Sequence, residues 1–159
     1  MRNNILKFIS VLLLFFSFNI VLIAEELKIN SNEVKLNKKN SEVIFNGDIK
    51  AVDENNNILT SDKAKYYKDK DLLQSIGDTK IVTGQNYVFL SQNVEFDNKN
   101  KIIKSDYTTI IFDPDGNEIQ VDMFNYNSIK NILYSKGKIE LKDKNKNFFN
   151  FSEIYIEEK

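Results

Sequence analysis

The 159-residue chain has no cysteine, no histidine and no tryptophan, and its one arginine is Arg2. Without cysteine there is no disulfide, no thiolate metal ligand and no residue to carry a lipid anchor. Without histidine there is no imidazole base at neutral pH and no histidine metal site. With no arginine beyond position 2, the body of the chain lacks the guanidinium fork that grips a phosphate at two points. A formal net charge of −1 offers no basic footprint for nucleic acid. No paired carboxylates recur on a common face either, so the sequence nominates no catalytic residue and no cofactor. Proline occurs once, at Pro114, and glycine five times, so little in the chain interrupts regular structure.

The N-terminus reads as a separate segment. Arg2 and Lys7 precede an uncharged run, Phe8–Ala24, which ends in Leu22-Ile23-Ala24 before the charged Glu25-Glu26. A positive start, an apolar stretch and a small residue before a charge jump form a secretory signal, cleaved after Ala24. The alternative is an uncleaved inner-membrane anchor, since the run of about 17 residues is at the lower limit of a membrane span. On either reading residues 25–159 form one domain that works outside the inner membrane.

What the chain does have is a repeat. Stepping by thirty from Ile29 through Leu36 gives Leu59 through Tyr66, then Phe89 through Phe96, Ile119 through Tyr126, and Phe149 through Ile156, with no insertion or deletion. The sixth and eighth positions are apolar or aromatic in every unit. In the second half of each unit, Val43, Leu73, Ile103 and Leu133 share a phase, as do Ala51, Ile81, Ile111 and Leu141. Gly47, Gly77 and Gly137 share another, with Tyr107 the exception. Alternation with period two places successive side chains on opposite faces, which is strand patterning. Clusters of Asn, Asp, Lys and Gly at regular spacing supply the turns. The units of thirty residues therefore hold two strands each, about nine antiparallel strands in all, and the fold class is all-β. Within the first strand of each unit the apolar phase flips between Ile29 and Val34, and between Phe89 and Val94. That implies a bulge or corner near Ser31, Ser61 and Ser91, and strands that wrap between two sheets as in a jellyroll.

Two other patterns have ordinary readings. Asp113-Pro114-Asp115-Gly116-Asn117 hints at a calcium loop, but Phe124 stands where the bidentate glutamate belongs, so it reads as a turn and no metal site is expected. The recurrent serines, with no histidine to activate them, are small packing residues rather than nucleophiles. The aromatic set Phe45, Tyr66, Phe96, Phe124 and Tyr126 fits either an ordinary sandwich core or a groove for something long and apolar. Periodicity does not choose between these.

Leu59-Thr60-Ser61-Asp62-Lys63-Ala64-Lys65-Tyr66-Tyr67 followed by Gly77-Asp78-Thr79 resembles the OstA-like (organic solvent tolerance) repeat. Asn46-Gly47-Asp48-Ile49 and Lys136-Gly137-Lys138-Ile139 match its closing Gly-Asn-Val element, and Val121-Asp122 keeps the Asp of its Ala-Asp element. Tyr107 and Phe151-Ser152 depart from the pattern. The resemblance runs over Leu27–Lys159. It implies an open, V-shaped β-jellyroll of the periplasmic lipopolysaccharide transport machinery, either freely periplasmic, held at the outer membrane, or anchored in the inner membrane. Such a domain shields the acyl chains of lipid A in an apolar trough and joins homologous jellyroll domains edge to edge.

On that reading Val34, Leu36, Phe45, Ala64, Tyr66, Val94, Phe96, Phe124 and Tyr126 line the lipid groove. Ile29, Phe149, Phe151, Ile154 and Ile156 form the pairing edges, with head-to-tail self-association as one outcome. The competing expectation is a structural or adhesive surface β-repeat protein with a closed core and no lipid.

Overall fold

The computed structural model describes residues 27–37 and 41–157; the expected signal segment, 1–24, lies outside them. Every described element is a strand. The described residues make nine passes, and each pass pairs antiparallel with the passes before and after it. The first pass is β1 (Lys28–Asn30) and β2 (Glu33–Asn37). The second and third are the long strands β3 (Glu42–Val52) and β4 (Ile58–Tyr67). Four interrupted passes follow: β5 (Leu72–Ser75) with β6 (Asp78–Val82), then β7 (Val88–Gln92) with β8 (Glu95–Asp97). The other two are β9 (Ile102–Ser105) with β10 (Thr109–Phe112), and β11 (Glu118–Val121) with β12 (Phe124–Asn127). The last two passes are long again, β13 (Ile132–Lys142) and β14 (Phe148–Glu157).

Nine passes, five of them broken in the middle, account for the nine expected strands appearing as 14 segments. The breaks fall on one line across the meander, and the sheet is creased along it. One half, sheet one, holds β2, β5, β8, β9 and β12. The other, sheet two, holds β1, β6, β7, β10 and β11. The four long strands contribute to both, and the whole is an open β-jellyroll.

The crease lies close to where the sequence placed its corners. The chain leaves the ladder just after Ser31 and at Asn93-Val94. In the long pairs the register slips between Asn46 and Ile49 opposite β4, and between Lys136 and Ile139 opposite β14. The extra residues therefore sit in the partner strand, at Gly47-Asp48 and Gly137-Lys138. Gly137 has φ +115°, and a Cβ there would come within 3.0 Å of Asp122 Oδ2. That carboxylate accepts from the Lys138 amide at 2.9 Å, so the bulge is held by a side chain and not only by the ladder. Asp48, Asp78, Thr108 and Lys138 are all exposed along the crease.

Candidate functional site

The site to examine is the space between the two sheets. Across sheet one the register aligns a single inward row: Leu36, Val43, Tyr66, Leu73, Phe96, Ile103, Tyr126, Leu133 and Ile156. Beside it, nearer the crease, lie Val34, Phe45, Ala64, Val94 and Phe124. The nine residues proposed for the groove are thus brought together on one face, in two adjacent rows. Sheet two carries a matching row that the proposed set omits: Ile29, Ala51, Leu59, Ile81, Phe89, Ile111, Ile119, Leu141 and Phe149. Its members stand 30 residues apart in two interleaved series, so the signal for it was the same periodicity, read in the other phase.

The rows pack directly on each other. The Phe89 ring from sheet two lies 4.8 Å from that of Phe124 and 5.9 Å from that of Tyr126, both on sheet one. Phe45, Ala64, Val94, Phe96, Phe124 and Tyr126 are buried, and Tyr66 is partly so, its hydroxyl 2.7 Å from Asp71 Oδ1. The middle of the interior is closed.

Its ends are not. Each sheet leaves apolar side chains bare at one corner. Val34 and Leu36 on sheet one are 59% and 56% exposed, while Ile29 opposite them packs on the core. At the far end the positions reverse: Phe149 and Phe151 on sheet two are 46% and 44% exposed, while Ile154 and Ile156 of sheet one are covered. Of the five proposed edge residues, then, two present bare rings and three belong to the packed margin. Among the described residues β14 pairs with β13 alone, and β1 and β2 with β3 alone, so each end of the described meander carries an unpaired edge.

The sheets meet along two lines of different chemistry. On the crease, the recurrent serines and threonines take up backbone groups that the broken ladder releases. The Val94 amide donates to Ser75 Oγ at 2.8 Å, Ser105 Oγ donates to the Gln92 carbonyl at 2.7 Å, and Ser135 Oγ to that of Met123 at 2.7 Å. The hydroxyls of Ser91 and Thr109, 2.7 Å apart, and of Thr79 and Ser75 bind one another. These residues are small, as expected, but they are hydrogen-bonding residues first.

On the opposite line, the mouth, turns of sheet two abut turns of sheet one. Asp53, Asn57 and Thr83 on one rim and Asn98, Lys101 and Ser128 on the other are all buried. Polar turn residues are ordinarily solvated, so their burial reports rim against rim. Lys101 Nζ lies 2.7 Å from Glu54 Oε1 across the mouth and donates to Asn98 Oδ1 at 3.2 Å. A gap of about 170 Å³ remains beside them, lined by Asn55, Asn57, Gly84 and Gln85 on one rim and Tyr126, Ser128, Ile129 and Asn131 on the other.

Each rim turn of sheet two is itself braced. Asn57 donates through both its amide and its side chain to Asp53 at 2.8 Å, and Asn117 and Asn147 bind Asp113 and Asp143 in the same way. Asp113–Asn117 is accordingly a turn, as expected. The hydrogen bonds from Asn147 hold the Asp143 carboxyl below its ordinary titration range. The asparagines also link one turn to the next: the Gly84 amide donates to Asn57 Oδ1, and the Lys144 amide to Asn117 Oδ1, both at 3.2 Å. The unit between them has Tyr87 in place of the acceptor and Pro114 in place of the donor, so that link has neither partner.

No family model and no curated protein sequence matches the chain. Among solved structures, it is similar to LptH, the LptA-homologous periplasmic component of the conserved lipopolysaccharide transport device from Pseudomonas aeruginosa. The TM-score is 0.62 at 12% identity, over 70% of this chain and 82% of that one. The fold implied by the OstA-like repeat is therefore the fold observed, and this chain shares the β-jellyroll of that periplasmic lipopolysaccharide transport component.

Proposed function

We propose that this chain is a non-enzymatic periplasmic module of lipopolysaccharide transport, which shelters lipid A acyl chains between its sheets and joins homologous domains edge to edge. The observation that carries this reading is the pair of inward apolar rows. They run unbroken across all nine passes and end in bare side chains at diagonally opposite corners. A closed sandwich needs the rows but not the bare ends. Each methylene kept from water is worth about 0.8 kcal/mol, so an apolar interior continued from one copy to the next would move a multi-acyl lipid with no chemical step.

The overhangs also suit the joint. Phe149 and Phe151 extend sheet two beyond its cover, and Val34 and Leu36 extend sheet one beyond its own. A following copy placed edge to edge would lay its Val34 and Leu36 over the preceding Phe149 and Phe151. Main-chain pairing between the unpaired edges would then hold the overlap.

Lipid extraction of the purified protein followed by mass spectrometry tests the first half. Photo-crosslinking amino acids at Phe96 and Phe124 should capture lipopolysaccharide and those at Lys65 and Glu95 should not; equal labelling at all four defeats the groove. For the second half, Ile154→Pro removes a ladder donor from β14, so light scattering should show association in the wild type and less of it in the variant. Periplasmic location predicts an intact mass beginning at Glu25. The structural or adhesive reading draws on the closed packing of Phe89 against Phe124; a lipid-free protein that fails to crosslink would favour it.

A further inference from the structure

If acyl chains lie along this interior, the polar head of the ligand must reach water at one of the two lines where the sheets meet. The chain itself and the buried hydroxyl ladder close the crease, whereas the mouth is closed only by contacts between turns. The two rims carry opposite charge. The described turns of sheet one, 68–71, 98–101 and 128–131, hold five lysines against Asp69 and Asp71. The first three turns of sheet two, 53–57, 83–87 and 113–117, hold Asp53, Glu54, Asp113 and Asp115 and no base.

At the centre of the closed mouth is Lys101, 8% exposed, the one buried lysine among the described residues. Its ammonium faces the Glu54 carboxylate at 2.7 Å. Glu54 is the more exposed partner, its side chain 31% accessible, and is free to swing into water. Next to it in the chain, on the same rim, the Asn55 side-chain nitrogen is buried with no hydrogen-bond partner among the described residues. A buried donor left unmet is costly in a closed protein. It is what a site looks like when the acceptor arrives with a ligand.

We propose that Lys101, with the orphaned Asn55 amide on the facing rim, is the headgroup site of the mouth, where a phosphate of the acylated ligand replaces the Glu54 carboxylate. The inference rests on the lipid reading above and adds to it a named recognition point and a switch. Glu54 neutralises Lys101 while the mouth is shut. A phosphomonoester offers more acceptor oxygens and greater charge than a carboxylate. Exchange at Lys101 releases the strut between the rims at the moment the chains need room, so loading and opening are one event. A ligand without an anionic group near its acyl chains would have to break the Lys101–Glu54 pair with nothing to put in its place.

The test uses the full mature chain and two probes of the same acylation: phosphorylated lipid A and its enzymatically dephosphorylated form, with binding followed by displacement of a fluorescent fatty acid. Wild type should prefer the phosphorylated probe by about tenfold, the scale of one charge-assisted hydrogen bond. Lys101→Gln should abolish the preference, Lys101→Arg should retain it, and Asn55→Ala should reduce it two- to threefold, on the order expected for one neutral hydrogen bond. Glu54→Gln should move the other way, tightening the phosphorylated probe several-fold because the competing carboxylate is gone. Circular dichroism of each variant controls for folding.

The two substitutions at the pair separate a binding site from a structural brace, since loss of a brace would weaken binding of both probes equally whichever partner is removed. Equal weakening by Glu54→Gln and Lys101→Gln, or an unchanged preference in Lys101→Gln, overturns the headgroup site and leaves the groove standing. Failure of wild type to bind either probe overturns both.

Discussion

The crease and the mouth are both lines along which the same two sheets meet, yet they are built from different material. The crease is covalent: nine passes run through it, and its released backbone groups are met by Ser75, Ser105 and Ser135. The mouth is held by side chains of turns, with one ion pair at its centre. Backbone groups must be satisfied wherever they are buried, so the crease has little freedom to change. Turn contacts can be exchanged for water or ligand at modest cost. On the function proposed above, the crease would be the fixed edge and the mouth the line that opens, and substitutions along the two should not behave alike.

The largest effect is expected beside the crease. Phe124 is fully buried against Phe89, and Phe124→Ala should cost about 3–5 kcal/mol of stability in urea unfolding. A loss below about 1 kcal/mol would mean that the interior is already loose there. Next comes the hydroxyl ladder. Ser75→Ala leaves the Val94 amide without its acceptor and should cost about 1–3 kcal/mol; a Ser75→Thr variant that recovers most of this would show the hydroxyl, not the volume, to be at work.

The mouth should respond less. Asn57 is buried and binds both Asp53 and Gly84, and Asn57→Ala should cost about 1 kcal/mol. Its counterpart at the overhanging end, Asn147, is exposed, and Asn147→Ala should lower the urea midpoint only slightly. What should move is Asp143. Its lowered carboxyl contributes above the ordinary titration range and ceases to as pH falls through the lowered value. In Asn147→Ala an NMR titration should find it higher, and no shift would mean that the brace is not formed at this end.

The crease was the more legible of the two in the sequence. The flip of apolar phase between Ile29 and Val34 located it, and the thirty-residue step gave nine passes, because strand periodicity is local and repeats reinforce it. The inward rows follow from the same alternation, though of the row ending in Phe149 the sequence assigns a role only to its two ends, Ile29 and Phe149, as edges. The mouth was not legible. Glu54 and Lys101 are 47 positions apart and share no phase of the repeat, so their meeting depends on how the two sheets pack. The serines were read as small because their partners are backbone groups freed by an interruption that the pattern marks but does not describe.

Nine is an odd number of passes. In a simple antiparallel meander that makes the first and last strands point the same way, so copies joined end to start would pair in parallel and share one orientation. An even count would set the end strand against the start strand of the next copy, so their pairing would be antiparallel. An array joined end to start would have a distinguishable front and back, because such a joint brings two different edges together. A ligand passing along it would meet each mouth in the same sequence, from the Val34 corner to the Phe149 corner, and the odd count fixes only that the joining strands run parallel.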